Sequence, residues 1–140
     1  MKVAFIVLTI FFSNHMYGQK SFDSEVVTPV ETTSFEFDKT YVDLGKVTKG
    51  EKKIFSYEMR NTGKDNIEID YLDYCACTEV DYPERKILKP GESMVFNVTF
   101  DSTTKDEEET IEIAMELKNV DPKSGLRYYL TLDYHFIIVK

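Results

Sequence analysis

Lys89-Pro90-Gly91-Glu92-Ser93-Met94-Val95-Phe96-Asn97-Val98-Thr99-Phe100 sets a turn directly in front of a strand. Pro90 suits the first central position of a type II turn because its ring fixes φ, and Gly91 suits the second because that position needs a positive φ. Beyond the turn, Met94, Phe96, Val98 and Phe100 share one face, while Asn97 and Thr99 share the other. A two-residue period of this kind is the mark of a half-buried strand. The same grammar extends in both directions. Phe35 and Phe37 lie in 34–37, and Val42 and Leu44 in 41–44. In 54–60, Phe55, Tyr57 and Met59 oppose Ser56, Glu58 and Arg60, and in 67–71, Ile67, Ile69 and Tyr71 oppose Glu68 and Asp70. Ile111, Ile113, Met115 and Leu117 oppose Glu112 and Glu116, and Leu130, Leu132, Tyr134, Phe136 and Ile138 close the series. Residues 107–118 would tolerate a helix, but their β-branched alternation favours a strand. Gly45, Gly50, Asn61-Thr62-Gly63 and Asp121-Pro122-Lys123-Ser124-Gly125 separate the runs as turns. About seven short antiparallel strands at this spacing imply an all-β, immunoglobulin-like β-sandwich over residues 34–140. A closed barrel is the alternative arrangement of the same pattern.

The chain of 140 residues is one domain's worth, and 42% hydrophobic with 30% charged residues is the composition of a folding chain. A formal charge of -8 would repel a phosphate backbone, so nucleic acid is not an expected partner. Lys2 precedes an apolar run over residues 3–12, and polar Ser13, Asn14 and His15 lead to Tyr17-Gly18-Gln19. This order is that of a secretory signal peptide over residues 1–18, cut after Gly18. The run falls short of the roughly 20 apolar residues that span a bilayer, and no later stretch comes closer. No cysteine stands at the cut to take a lipid, so a periplasmic or extracellular, non-lipoprotein chain with no membrane span is expected. Residues 19–33 are polar and read as a flexible leader.

Export makes the pair Cys75 and Cys77 the chemical centre of interest. On a flat strand, residues two apart have Cα atoms about 6.6 Å apart, near the limit for a disulfide, so a Cys75–Cys77 bridge requires a bend. Ala76 makes a left-handed centre for that bend costly. A loop this small restrains the unfolded chain little. For a thiol-redox role, Asp70, Asp73, Glu79 and Asp81 are poor company, since acids raise thiol pKa values. The same acids would attract Cu(I), which suits two neighbouring thiolates, whereas zinc would need His135 and further carboxylates. Two cysteines placed simply for packing at a strand end remain the plainest reading.

Little else points to catalysis. No Ser-His-Asp set is suggested by order or spacing, and His135 falls on the polar side of its strand with Asp133. Asp106-Glu107-Glu108-Glu109 lacks the alternating ligands of a calcium loop. Asn97-Val98-Thr99 is a formal glycosylation sequon. Tyr71, Tyr74, Tyr82, Tyr128 and Tyr129 cluster near turns and strand ends, where amphipathic rings support recognition as well as packing.

Taken in order, residues 37–47, Lys49-Gly50-Glu51, Phe55, Asn61-Thr62-Gly63, residues 67–69, Cys75-Ala76-Cys77-Thr78 and Lys89-Pro90-Gly91-Glu92 resemble the bacterial domain-of-unknown-function family fifteen-seventy-three. That family is similar to Hydin-type immunoglobulin-like modules. The resemblance implies an exported bacterial β-sandwich with no established activity. Ala76 stands where the family's motif has glycine, and the last strand lacks a glycine near residues 134–136. The expected function is therefore that of a non-enzymatic interaction or structural module of the bacterial envelope, with an envelope protein or glycan as partner. A Cu(I)-binding or thiol-redox protein using Cys75 and Cys77 is the alternative. The turn residues Asn61, Gly63, Pro90 and Gly91 would then serve the scaffold, and no cofactor other than copper is suggested.

Overall fold

A computed structural model describes residues 32–140 of the chain. The expected signal peptide and all but the last two residues of the expected leader lie outside the described residues. Nine strands follow one another: β1 (Phe35–Phe37), β2 (Tyr41–Thr48), β3 (Lys52–Asn61), β4 (Ile67–Asp73), β5 (Thr78–Asp81), β6 (Ile87–Leu88), β7 (Ser93–Asp101), β8 (Glu109–Val120) and β9 (Arg127–Val139). They form a four-stranded sheet in the order β1-β3-β7-β5 and a five-stranded sheet in the order β2-β9-β8-β4-β6. The fold is an immunoglobulin-like β-sandwich, and the separate edges of its two sheets exclude the closed barrel.

Alternation places the core. Tyr57 and Met59 of β3 and Met94, Phe96, Val98 and Phe100 of β7 face Ile67 and Ile69 of β4, Ile113, Met115 and Leu117 of β8, and Leu132, Tyr134 and Phe136 of β9. Each large apolar side chain so enclosed contributes about 1.5–3 kcal/mol relative to exposure. Residues 107–118 fall almost wholly in β8, where β-branched and long apolar residues pack on a pleated surface.

The structure departs from the sequence expectation in three respects. It holds nine strands rather than about seven, because β5 and β6 are too short for their alternation to stand out. Not all pairs are antiparallel: β2 runs parallel to β9, a pairing between distant segments with no hairpin to announce it. Gly45 is not a strand-ending turn but lies inside β2, at a register shift between Asp43 and Lys46. Its φ of 63° and the 2.8 Å bond from its amide to Asp43 Oδ1 make the bulge, which lets β2 continue to Thr48.

Two turns meet at Asn61. Its amide donates to Glu92 O at 3.0 Å, and its carbonyl accepts from Gly91 N at 2.8 Å. Its buried side chain donates to Asp65 O and Leu88 O, both at 2.8 Å, and accepts from Gly63 N at 3.0 Å. Within the Lys89–Glu92 turn, Glu92 N donates to Lys89 O at 3.0 Å, and Gly91 has φ 81°. Gly63 lies against residues 32–34: a Cβ there would overlap the Thr32 carbonyl, which accepts from Lys64 N at 2.8 Å. Thr32 and the buried Thr33 are thus already part of the packed domain.

Asn61→Ala removes the buried side-chain bonds to Asp65 O, Leu88 O and Gly63 N together and should cost on the order of 2–4 kcal/mol in urea unfolding. Gly63→Ala forces residues 32–34 off the domain and should lower stability by about 2 kcal/mol or more, whereas Gly50→Ala, with nothing near its Cβ, should cost only its backbone strain.

Candidate functional site

The chain crosses from β4 in one sheet to β5 in the other over Cys75-Ala76-Cys77-Thr78. Thr78 N donates to Cys75 O at 2.9 Å, which closes a tight turn, and Asp101 N donates to Cys77 O at 2.9 Å, which fixes the turn to the end of β7. The turn draws the Cys75 and Cys77 Cα atoms to 5.3 Å, and the two sulfurs are joined as a disulfide. Among the described residues only glycines have a positive φ, so Ala76 makes the bend without the left-handed conformation that its side chain would resist. Cys75 is partly exposed, while Cys77 is 8% exposed.

Beneath the bridge lie two buried hydroxyls. Thr78 Oγ1 is 2.6 Å from the Tyr134 hydroxyl, 3.3 Å from Cys75 Sγ and 3.7 Å from Cys77 Sγ. The Tyr134 hydroxyl is 3.9 Å from Cys77 Sγ. The Tyr134 ring sits 5.1 Å from Phe55 and 5.3 Å from Phe100, in the centre of the core. Burial pushes the Tyr134 hydroxyl above its ordinary pKa, so it stays protonated and able to donate. Hydroxyls rather than charges therefore surround these sulfurs on the inner side. Sequence reading missed Thr78 and Tyr134, although Tyr134 on an apolar face needed a hydroxyl partner, and that was a usable signal.

His135 points away from the bridge, on the opposite face of β9 from Tyr134. Its Nδ1 lies 3.3 Å from Asp43 Oδ1 and its Nε2 3.0 Å from Glu108 Oε1. It is not a solvated side chain on a polar face but a largely enclosed tie between the β2 bulge, β9 and the segment before β8. The Asp43 hydrogen bond, followed by that of Glu108, raises the His135 pKa above 6.5. No group of three or more His, Cys, Asp or Glu residues that could hold a metal occurs among the described residues.

The five noted tyrosines divide. Tyr128 packs edge-on to Phe35 at 5.6 Å, and Tyr82 packs on Phe96 at 5.8 Å with Lys86 above its ring. Tyr71, Tyr74 and Tyr129 are exposed. Tyr71 and Tyr129 flank Glu116 in one register row of the outer face of the five-stranded sheet. The next two rows hold Thr131, Ala114 and Asp73, then Tyr41, Asp133 and Glu112. None of these nine residues is basic. Glu116 binds Arg127 and the Tyr71 hydroxyl, while Asp73, Glu112 and Asp133 have no ion-pair partner among the described residues. The outer face of the other sheet carries Ile54, Ser56, Val95, Asn97 and Thr99, with Glu58, Glu79 and Asp81 in the same register rows.

Intact mass after alkylation without reductant should show no label, and reduction should add two; labelling of the unreduced protein would mean free thiols. NMR titration of His135 should give a pKa above 6.5, and Asp43→Asn should lower it. Because the folded pKa is raised, this tie contributes fully below the unfolded value and is lost as pH rises through the folded one. Removing His135 should therefore cost stability at pH 5 but little at pH 9, both taken as roughly outside the titration window.

Among the described residues, no helix is long and apolar enough to cross a membrane. No curated protein matches the chain in sequence. In fold it is similar to a Porphyromonas gingivalis W83 protein of unknown function, with 20% identity, a TM-score of 0.60, and coverage of 82% of this chain and 51% of that one. It is also similar to the Vibrio cholerae VesB protease, at 15% identity and TM-score 0.59, covering 76% of this chain and 32% of VesB. The ASH/PapD-like domain 7 of human CEP192 is similar over 84% of this chain and 96% of its own length, at 14% identity and TM-score 0.57. The chain thus spans about half of the first relative and about a third of the second. The family model for the HYDIN/CFA65/VesB-like, Ig-like domain matches residues 33–128, and the chain belongs to that family.

Proposed function

We propose that this chain is an exported, non-enzymatic interaction module of the bacterial envelope, working in the periplasm or outside the cell. The signal-peptide pattern of residues 1–18 supports export. Within its family, the Cys75-Ala76-Cys77-Thr78 motif supports placing it in the domain-of-unknown-function branch fifteen-seventy-three. The observation that carries the interaction reading is the outer face of the five-stranded sheet, where Tyr41, Tyr71 and Tyr129 are 51%, 44% and 59% exposed. Among them lie Asp73, Glu112 and Asp133, carboxylates with no cation paired to them among the described residues. A second copy of the chain would set acid against acid, so the fitting partner is a protein segment bearing lysine or arginine, whose cations meet both the rings and the carboxylates.

Copper binding is the other reading of the cysteines and belongs to the reduced protein, since bridged sulfurs offer no thiolate. Anaerobic Cu(I) titration of the reduced chain against Cys75→Ser/Cys77→Ser tests it, and equal weak binding by both would remove it.

Capture from a bacterial periplasmic extract should recover a reproducible basic partner. Tyr71→Ala/Tyr129→Ala and Asp73→Asn/Glu112→Gln/Asp133→Asn should each weaken its binding about tenfold, while Ile54→Ser/Val95→Ser on the opposite sheet should leave it unchanged. A glycan would instead depend on the tyrosines and ignore the carboxylates. No partner at all, or equal loss with all three variants, would overturn the reading.

A further inference from the structure

The Cys75–Cys77 bridge is asymmetric, and we propose that it is an exchangeable disulfide opened in one direction by cationic thiols. The inference concerns the bridge alone and stands apart from the interaction role. Cys75 is the less buried cysteine of the pair, half-buried against the edge of the core, whereas Cys77 is 8% exposed and lies over the buried hydroxyls. An incoming thiolate attacks Cys75 Sγ, the new bond joins its sulfur to Cys75, and the electron pair of the broken S–S bond moves to Cys77 Sγ. The Cys77 thiolate forms beside the Thr78–Tyr134 hydroxyl pair, in which one hydrogen joins the two oxygens at 2.6 Å and the other is free to donate. With Tyr134 donating to Thr78, Thr78 turns its hydrogen from Cys75 Sγ, at 3.3 Å, to Cys77 Sγ, at 3.7 Å; with Thr78 donating to Tyr134, the Tyr134 hydroxyl donates to Cys77 Sγ from 3.9 Å. The thiolate then takes a proton from solvent. A second thiol releases Cys75 by attacking the sulfur of the adduct, so two thiols leave as one external disulfide and both cysteines end reduced.

Direction and substrate class follow from different features. Hydrogen bonds to the leaving sulfur lower its basicity, and a better leaving thiolate speeds exchange. That favours departure of Cys77, which either hydroxyl can reach, over departure of Cys75, which among the described residues is reached by the Thr78 hydroxyl alone. Asp73, Glu79 and Asp81 lie within four residues of the two cysteines, and no lysine, arginine or histidine stands between Asp70 and Asp81. An anionic thiol is repelled on approach, and a thiol carrying an ammonium group is attracted. The turn itself is held by backbone bonds from Thr78 N to Cys75 O and from Asp101 N to Cys77 O, neither of which needs the disulfide. The bridge can therefore open without loss of the crossover that carries it.

The test uses the intact oxidised protein with cysteamine and with 2-mercaptoethanesulfonate, compared at equal thiolate concentration, quenched with acid and N-ethylmaleimide, and mapped by peptide mass spectrometry. Cysteamine should be found on Cys75 and maleimide on Cys77, and at low salt cysteamine should react about fivefold or more faster than the sulfonate. Thr78→Val should slow the exchange about fivefold, and Thr78→Ser should restore it. Tyr134→Phe keeps the core ring and should slow it also, which serves if Thr78→Val fails to fold. Adducts on Cys77 or equally on both sulfurs, a sulfonate as fast as cysteamine, or wild-type rates in both hydroxyl variants would each overturn the proposal. A module that captures its partner while failing here would lose only this inference.

Discussion

A phenol hydroxyl at the centre of an apolar core has to find a partner, and much of this molecule follows from how Tyr134 finds one. The ring is enclosed by Phe55, Phe100 and Phe136, which is where the alternation of β9 sends it. Its hydroxyl would cost about 1–3 kcal/mol if left unpaired. Thr78, the first residue of β5, supplies the bond at 2.6 Å from the opposite sheet. Tyr57 makes the reciprocal tie, donating from β3 to the Asp133 carbonyl of β9 at 2.6 Å. Both sheets are thus held in register by hydroxyls reaching across the sandwich, and no buried side-chain polar atom among the described residues lacks a partner.

Topology makes those ties necessary. The five-stranded sheet is assembled from distant segments: β2 joins the last strand in parallel, and β4 reaches it only after the chain has built β3 in the other sheet. Non-local pairing of this kind is not directed by a short hairpin. Asn61 and Gly63 join the first residues of the domain to the Lys89–Glu92 turn, and His135 joins the β2 bulge to the segment before β8. The polar fastenings sit where chain connectivity gives least guidance.

How much was legible depended on length and period. The sandwich could be read because β3, β7, β8 and β9 each carry three or more inward apolar residues at every second position. β5 offers only Thr78 and Val80 inward and β6 only two residues in all, too few for a period. The parallel pairing of β2 with β9 leaves no trace in either segment. Gly45 was read as a turn because a glycine beside a strand carries the same local signal whether it ends the strand or bulges it. At the site, the Cys-Ala-Cys spacing pointed to the right residues for chemistry but not to their setting. The acids that flank the cysteines in sequence face outward, and what faces the sulfurs comes from Thr78 and from Tyr134, more than fifty residues away.

That separation gives the crossover two different sides. Inward, it presents a neutral pair of hydroxyls that can donate a hydrogen bond to a forming thiolate. Outward, it runs straight into the acidic face, since Asp73 ends β4 two residues before Cys75 and Tyr74 is exposed between them. A cation approaching this end of the five-stranded sheet meets carboxylates and tyrosine rings before it meets a sulfur. Charge therefore selects what comes near the bridge, and burial selects which sulfur leaves. Because the two controls use different residues, Asp73 and its neighbours on one side and Thr78 with Tyr134 on the other, each can vary without disturbing the other. A short motif at the crossover between two packed sheets can in this way carry a specific chemistry of its own.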